Sequence, residues 1–204
     1  MNVLNAKITI LTGSWEDRWS TIEDTKKFLE DVGHEVKIYN GFHASHNDIN
    51  SVNRLGKGHV GCILSTMALM DNTEDVVGIF ESDAVINCNK DQYIDVLSHA
   101  PDCDILYLFA TDASWYDSQY KLTDKRTNIT NISKSWWYLQ NPLNTTAVFY
   151  SRRAVECIRK SMHLKLPLDR MVTDVANKYK LKWGITDLVL HGDFGSKTFI
   201  DSGK

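Results

Sequence analysis

Hydrophobic and polar positions along the chain switch between two periods. Lys7–Thr12 (KITILT) alternates at the two-residue period of a strand. Ile22, Phe28, Leu29 and Val32 then fall on one face of a helix beginning near Thr21. Ser20-Thr21-Ile22-Glu23 has the spacing of a capping box with Ser20 as N-cap, and Gly33 is placed to end the helix. Glu35–Tyr39 alternates again, so the first forty residues predict a right-handed βαβ unit. Residues 40–57 are polar and loop-like. Val60, Ile63, Leu64, Met67 and Ala68 follow the spacing of a packed helix. A buried strand is predicted at 76–83, a short helix at Asp91–Ala100 and another strand at Asp104–Phe109. Residues 111–142 lose periodicity and read as a long aromatic and basic loop, of the length that compact domains reserve for function. Thr145–Tyr150 reads as a strand and Arg152–Met162 as a helix. A further helix runs from about Asp169 to Tyr179, and one last strand covers Trp183–Leu190. No repeat or linker interrupts this order, which predicts one α/β domain over 1–204.

The chemistry concentrates where the pattern breaks. Val76-Val77-Gly78-Ile79-Phe80 carries no charge and suits a buried strand, and Glu81 and Asp83 then appear at its C-terminal end. Open α/β sheets bind ligands outside the carboxyl ends of their strands. Two acids one residue apart there suit a hard divalent cation held against a phosphorylated ligand. An acidic turn that only ends the strand is the other reading. His191 also follows an apolar run, so it too belongs at a strand end. With Glu81 and Asp83 it would complete a set of two carboxylates and one imidazole, which suits manganese; an exposed loop histidine is the alternative. Asp169, after Leu166-Pro167-Leu168, fits a helix N-cap and equally a general base. Trp136-Trp137-Tyr138, beside Lys134 and Asn141, suits either a core position or a platform for a sugar or nucleobase.

Other motifs exclude more than they assign. The Gly56–Gly61 run lacks the phosphate-loop pattern and follows no clear strand, so its glycines read first as tight helix packing. A helix N-terminus there still attracts anions. No serine sits in a nucleophile elbow, and His43 and His46 share a polar loop. Cys62, Cys88, Cys103 and Cys157 form no C-x-x-C pair, so a zinc site is not expected, and Cys62 and Cys157, in apolar periodic patterns, read as reduced core residues. The sequons at Asn128, Asn131 and Asn144 read as chance matches.

Composition bounds the partners. With 204 residues and 43% hydrophobic content the chain can bury a core without staples. A net charge of −3 argues against bulk binding to nucleic acid. No apolar run approaches the roughly 20 residues of a membrane helix, and Met1–Lys7 lacks the pattern of a signal peptide. A cytoplasmic location is the expectation.

The ordered set of segments resembles glycosyltransferase family 25, the group of lipopolysaccharide-type and collagen galactosyltransferases. The segments are a first strand followed by Arg18, Gly58-His59-Val60-Gly61-Cys62-Ile63-Leu64-Ser65, and Ile79-Phe80-Glu81-Ser82-Asp83-Ala84. Asp104–Leu108, Thr146–Ala154 and Leu166-Pro167-Leu168-Asp169 follow in order. The similarity spans about residues 7–200. It implies a GT-A-like nucleotide-sugar-binding domain, with a mixed, mostly parallel sheet flanked by helices and a bound Mn2+ or Mg2+. It also implies inverting transfer of galactose or glucose from a UDP-sugar to a glycan hydroxyl, as in lipopolysaccharide biosynthesis. The family's Glu-Asp-Asp motif maps onto Glu81-Ser82-Asp83, and its G-x-x-G-C-x-x-S-H stretch onto Gly58 through Thr66. Ser82 replaces the middle acid and Thr66 the histidine.

On that basis Glu81, Asp83 and His191 are expected to hold the metal. Arg18, Gly58 and Ser65 are expected to help bind the nucleotide, Asp169 to act as base, and Trp136 and Trp137 to meet the acceptor or close over the donor. Asp112, Asp187 and Asp193 are rival bases. Three other functions compete. One is a nucleotide-sugar-binding protein without transfer activity. Another is a glycosyltransferase acting on a modified nucleic-acid base through the basic, aromatic segment Lys121–Tyr138. An interaction-only module ranks last.

Overall fold

The computed structural model describes residues 1–13, 18–42, 57–71, 74–112, 129–133 and 135–191. Five helices accompany the strands among them. They are α1 (Trp19–Asp31), α2 (Lys57–Leu69), α3 (Lys90–Ser98), α4 (Arg152–Ser161) and α5 (Leu168–Tyr179). The main sheet has eight strands. In spatial order these are β2 (Val36–Asn40), β1 (Lys7–Thr12), β3 (Val76–Glu81), β10 (Ala147–Ser151), β5 (Ile105–Tyr107), β11 (Trp183–Ile185), β8 (Trp136–Leu139) and β7 (Ile129–Ser133). β1 lies parallel to both β2 and β3, and β5 parallel to β11. β10 and β8 run against their neighbours, and the other six strands share one direction. Two short ribbons complete the set: β4 (Ala84–Ile86) with β12 (Val189–His191), and β6 (Thr111–Asp112) with β9 (Pro142–Leu143). The expected α/β architecture, a mixed and mostly parallel sheet between helices, is the one observed.

The sheet separates two apolar layers, and the two-residue strand period assigns each side chain to one of them. Val77 and Ile79 of β3, Val148 and Tyr150 of β10, and Ile105 and Tyr107 of β5 pack with α2, α4 and α5. Phe80, Ala147, Phe149 and Leu106 face the other way and pack with α1 and α3, joined by Ile8 and Ile10. Gly78 lies on this second side. A Cβ there would come within 2.9 Å of both Ile8 and Phe149, so only glycine lets the Phe149 ring cover the strand.

Several predicted boundaries move for identifiable reasons. α1 begins at Trp19, one turn position before the expected Ser20 cap, and its N-cap Arg18 makes no side-chain cap bond. The Arg18 side chain is instead drawn to Asp83, so a tertiary charge pair replaces local capping. Gly33 does end the helix, at φ 104°. Residues 111–142 are not wholly a loop: β6, β7 and β8 fall within them, and β9 begins at their end. Their alternation was hidden by short strands and by a register shift between Asn131 and Ser133. The segment at 113–128 and Lys134 lie outside the described residues, as do His43 and His46. The last strand divides in two, because Thr186–Leu188 lets the chain leave β5 and pair with β4.

Candidate functional site

β1 sends the chain to β2 on one side and receives β3 on the other. The sheet's order therefore reverses at the C-terminal ends of β1 and β3, where a crevice is expected. Glu81 closes β3 there, and Asp83 follows one residue before β4. Glu81 keeps the phase of Val77 and Ile79, which turns its carboxyl toward the α2 and α5 layer. β10 is antiparallel to β3, so the start of β10 lies beside that carboxyl. The Glu81 N–H donates to the Thr146 carbonyl at 2.7 Å, and the Thr145 hydroxyl donates to Glu81 Oε1 at 2.7 Å.

The expected base comes to the same place. Asp169 sits in the first turn of α5, but Pro167 is the N-cap, which corrects the reading of Asp169 as the cap. Its Oδ1 accepts the Arg170 N–H at 2.7 Å and its Oδ2 accepts the Asn144 N–H at 3.4 Å. Asp83 is 7% exposed and meets Arg18, with Nη1 to Oδ2 at 3.7 Å. Burial first, and then the charge of Asp83, push the Glu81 carboxyl up to about 8; Asp169 adds to the rise, while Thr145 and Arg18 oppose it. Three carboxylates thus share one electrostatic environment, tempered by one guanidinium.

α2 borders this cluster. Cys62 feels Glu81, Asp169 and Asp83, and burial is the main cause that pushes its thiol well up. Gly58 lies in the first turn of α2, one turn before Cys62. Ser65 is bonded within the fold. Its buried hydroxyl donates to the Gly61 carbonyl at 2.6 Å and accepts the Phe42 N–H at 2.7 Å, tying the exit of β2 to α2. Ser82, between the two acids, is also buried.

The remaining expectations divide. The His191 backbone pairs with Ala84, directly beside Asp83, and its side chain lies outside the described residues. Trp136 is fully buried in the α1 and α3 layer, with its indole N–H donating to the Val96 carbonyl at 3.0 Å. Its ring has no exposed face to offer an acceptor, which corrects that expectation in favour of the core reading. Trp137 is half-buried against the opposite layer. Asp187 is exposed between β11 and β12; the side chain of Asp112 and all of Asp193 lie outside the described residues. Sequence reasoning missed Asn144 and Thr145. The signal available was an Asn-Thr-Thr just before a strand, a pattern that suits a turn at positive φ.

A divalent cation can be tested against this donor set. Glu81 and Asp83 supply hard oxygen ligands, and the repulsion that raises Glu81 is what a cation would relieve. Among the described residues no group of three His, Cys, Asp or Glu closes into a full ligand set. The pair alone does not complete a coordination shell, so a cation held there would need further ligands.

No protein-family model and no curated protein matches the chain by sequence. Solved structures do match. A glycosyltransferase involved in the glycosylation of the major capsid of PBCV-1 superposes with a TM-score of 0.52 at 14% identity, over 96% of this chain and 97% of that one. The inositol-1-phosphate CTP transferase from T. maritima gives a TM-score of 0.52 at 10% identity, over 99% and 96%. This chain is similar to both along nearly its whole length, and it has the GT-A-like fold that they share.

Proposed function

We propose that the chain is a single-domain inverting glycosyltransferase of the family 25 type, moving galactose or glucose from a UDP-sugar to a hydroxyl of a glycan acceptor. The observation that carries this reading is the meeting of Glu81 and Asp83 with Asp169 at the C-terminal end of β3, from two separate places in the sequence. In this reading Arg18 and the first turn of α2 would supply positive charge and N–H groups to the nucleotide diphosphate. Asp169 takes the proton of the acceptor hydroxyl. That oxygen bonds to the anomeric carbon, the bond from carbon to phosphate oxygen breaks, and its electron pair leaves with UDP. One displacement inverts the anomeric centre. A Mn2+ or Mg2+ held by Glu81 and Asp83, with His191, would neutralise charge on the departing diphosphate.

The test is UDP release across a panel of UDP-, GDP- and CMP-sugars, with Mn2+, Mg2+ or EDTA. Metal-dependent release from one UDP-hexose supports the reading and names the donor. Tight UDP binding without release on any acceptor would instead mark a nucleotide-sugar-binding protein. Pyrophosphate release from a nucleoside triphosphate and a sugar phosphate would mark a nucleotidyltransferase.

A further inference from the structure

The segment just before β10 touches both carboxylates that the proposed reaction needs. Asn144 has φ 81°, a left-handed conformation that asparagine tolerates better than most residues. This turn sends the three residues 144–146 in different directions. The Asn144 N–H points to Asp169 Oδ2 at 3.4 Å. The Thr145 hydroxyl donates to Glu81 Oε1 at 2.7 Å, and the Thr146 carbonyl accepts the Glu81 N–H at 2.7 Å. The turn is itself braced, because Asn144 Oδ1 accepts both the N–H and the hydroxyl of Thr146. Thr145 and Thr146 are buried at 8% and 0% exposure, so these bonds do not compete with bulk water. A strand entrance needs none of this: one turn and the β10 ladder would suffice.

We infer that Asn144-Thr145-Thr146 is a positioning clamp, in which Thr145 fixes the Glu81 carboxyl and the Asn144 backbone holds Asp169, so that the two acids keep one separation through the reaction. The inference rests on the transferase reading above. Neither Thr145 nor Asn144 is catalytic; both act through the acids they hold. A hydroxyl donor also suits its task. It bonds Glu81 Oε1 and leaves Oε2 for other contacts, whereas a lysine or arginine there would cancel the charge that the site gathers.

Thr145→Val keeps the shape and removes the donor; Thr145→Ser restores it. Steady-state UDP release should show kcat reduced about 10-fold in Thr145→Val, with donor KM within about 2-fold of the parent, and recovery in Thr145→Ser. The second readout is independent of turnover: the carboxyl 13C resonance of Glu81 in labelled protein, which should move in Thr145→Val and return in Thr145→Ser. An unchanged kcat with an unmoved resonance overturns the clamp. So does a loss of kcat that comes with a lower melting temperature and is not restored by serine, since that marks a purely structural turn. If the parent releases UDP from no donor, the transferase reading fails, and the 13C shift alone decides whether Thr145 holds Glu81.

Discussion

Replacing Glu81 with glutamine should stabilise the metal-free protein, by an amount that grows with pH. The Glu81 carboxyl is raised from 4.5 to about 8, by burial first and by Asp83 second. Between those values the folded protein keeps a proton that the unfolded chain has released. Raising the pH through this window therefore favours unfolding, and the loss levels off above about 8. At about 1.4 kcal/mol per unit the full span is on the order of 5 kcal/mol. Over a practical range of about pH 5.5 to 8 it comes to about 3 kcal/mol. Glutamine has no proton to lose, and its amide oxygen can still accept from Thr145. The assay is urea unfolding of both proteins in EDTA at several pH values. His34 is a buried histidine whose pKa is lowered by burial, so it costs stability as pH falls below its ordinary value; that slope is common to both proteins and cancels in the difference. A difference between Glu81→Gln and the parent that stays flat from about pH 5.5 to 8 refutes the electrostatic account. Mn2+ should narrow the gap at high pH by stabilising the parent alone.

Other substitutions separate the site from the scaffold. Gly78→Ala forces a methyl within 2.9 Å of Ile8 and Phe149 and should cost about 1–3 kcal/mol, read as a melting temperature lower by several degrees; an unchanged melting point would mean that the Phe149 ring yields freely. Asp169→Asn should lower kcat by about 100-fold or more while the Kd for UDP stays the same, and a variant as active as the parent moves the base elsewhere. Trp136→Phe should lower the melting temperature through lost packing and the lost bond to Val96, yet leave the acceptor KM unchanged; a raised KM would return this ring to the binding site.

Much of this was legible in the sequence because strong signals are local. KITILT alternates over most of its length and VVGIF is an uncharged run rich in β-branched residues, and β1 and β3 lie where those patterns put them. The abrupt acids after Phe80 marked the site for the same reason. Asp169 was legible as an acid at a helix start, but its arrival beside Glu81 depends on how α5 packs, which no local pattern encodes. Trp136 went astray because the same residue type serves a core and a sugar platform, and only burial distinguishes them. Thr145 was invisible: a threonine before a strand carries no chemical signature until β10 is known to run antiparallel to β3. Arg18 shows the converse, since a capping box was legible at Ser20 and a long-range pair with Asp83 overrode it.

The sheet's division into two apolar layers bears on how such a protein diverges. Glu81, Asp169 and Cys62 all belong to the α2 and α5 side, while Phe80, Phe149, Leu106 and Trp136 fill the other. Substitutions in that second layer are screened from Glu81 and Asp169 by a full thickness of backbone. A lineage can therefore exchange much of its α1 and α3 core, drifting below the reach of sequence comparison, as long as the start of α1 still brings Arg18 to Asp83. Inheritance of chemistry in this architecture would then be traced from one face of the sheet, and the other face would keep only a record of drift.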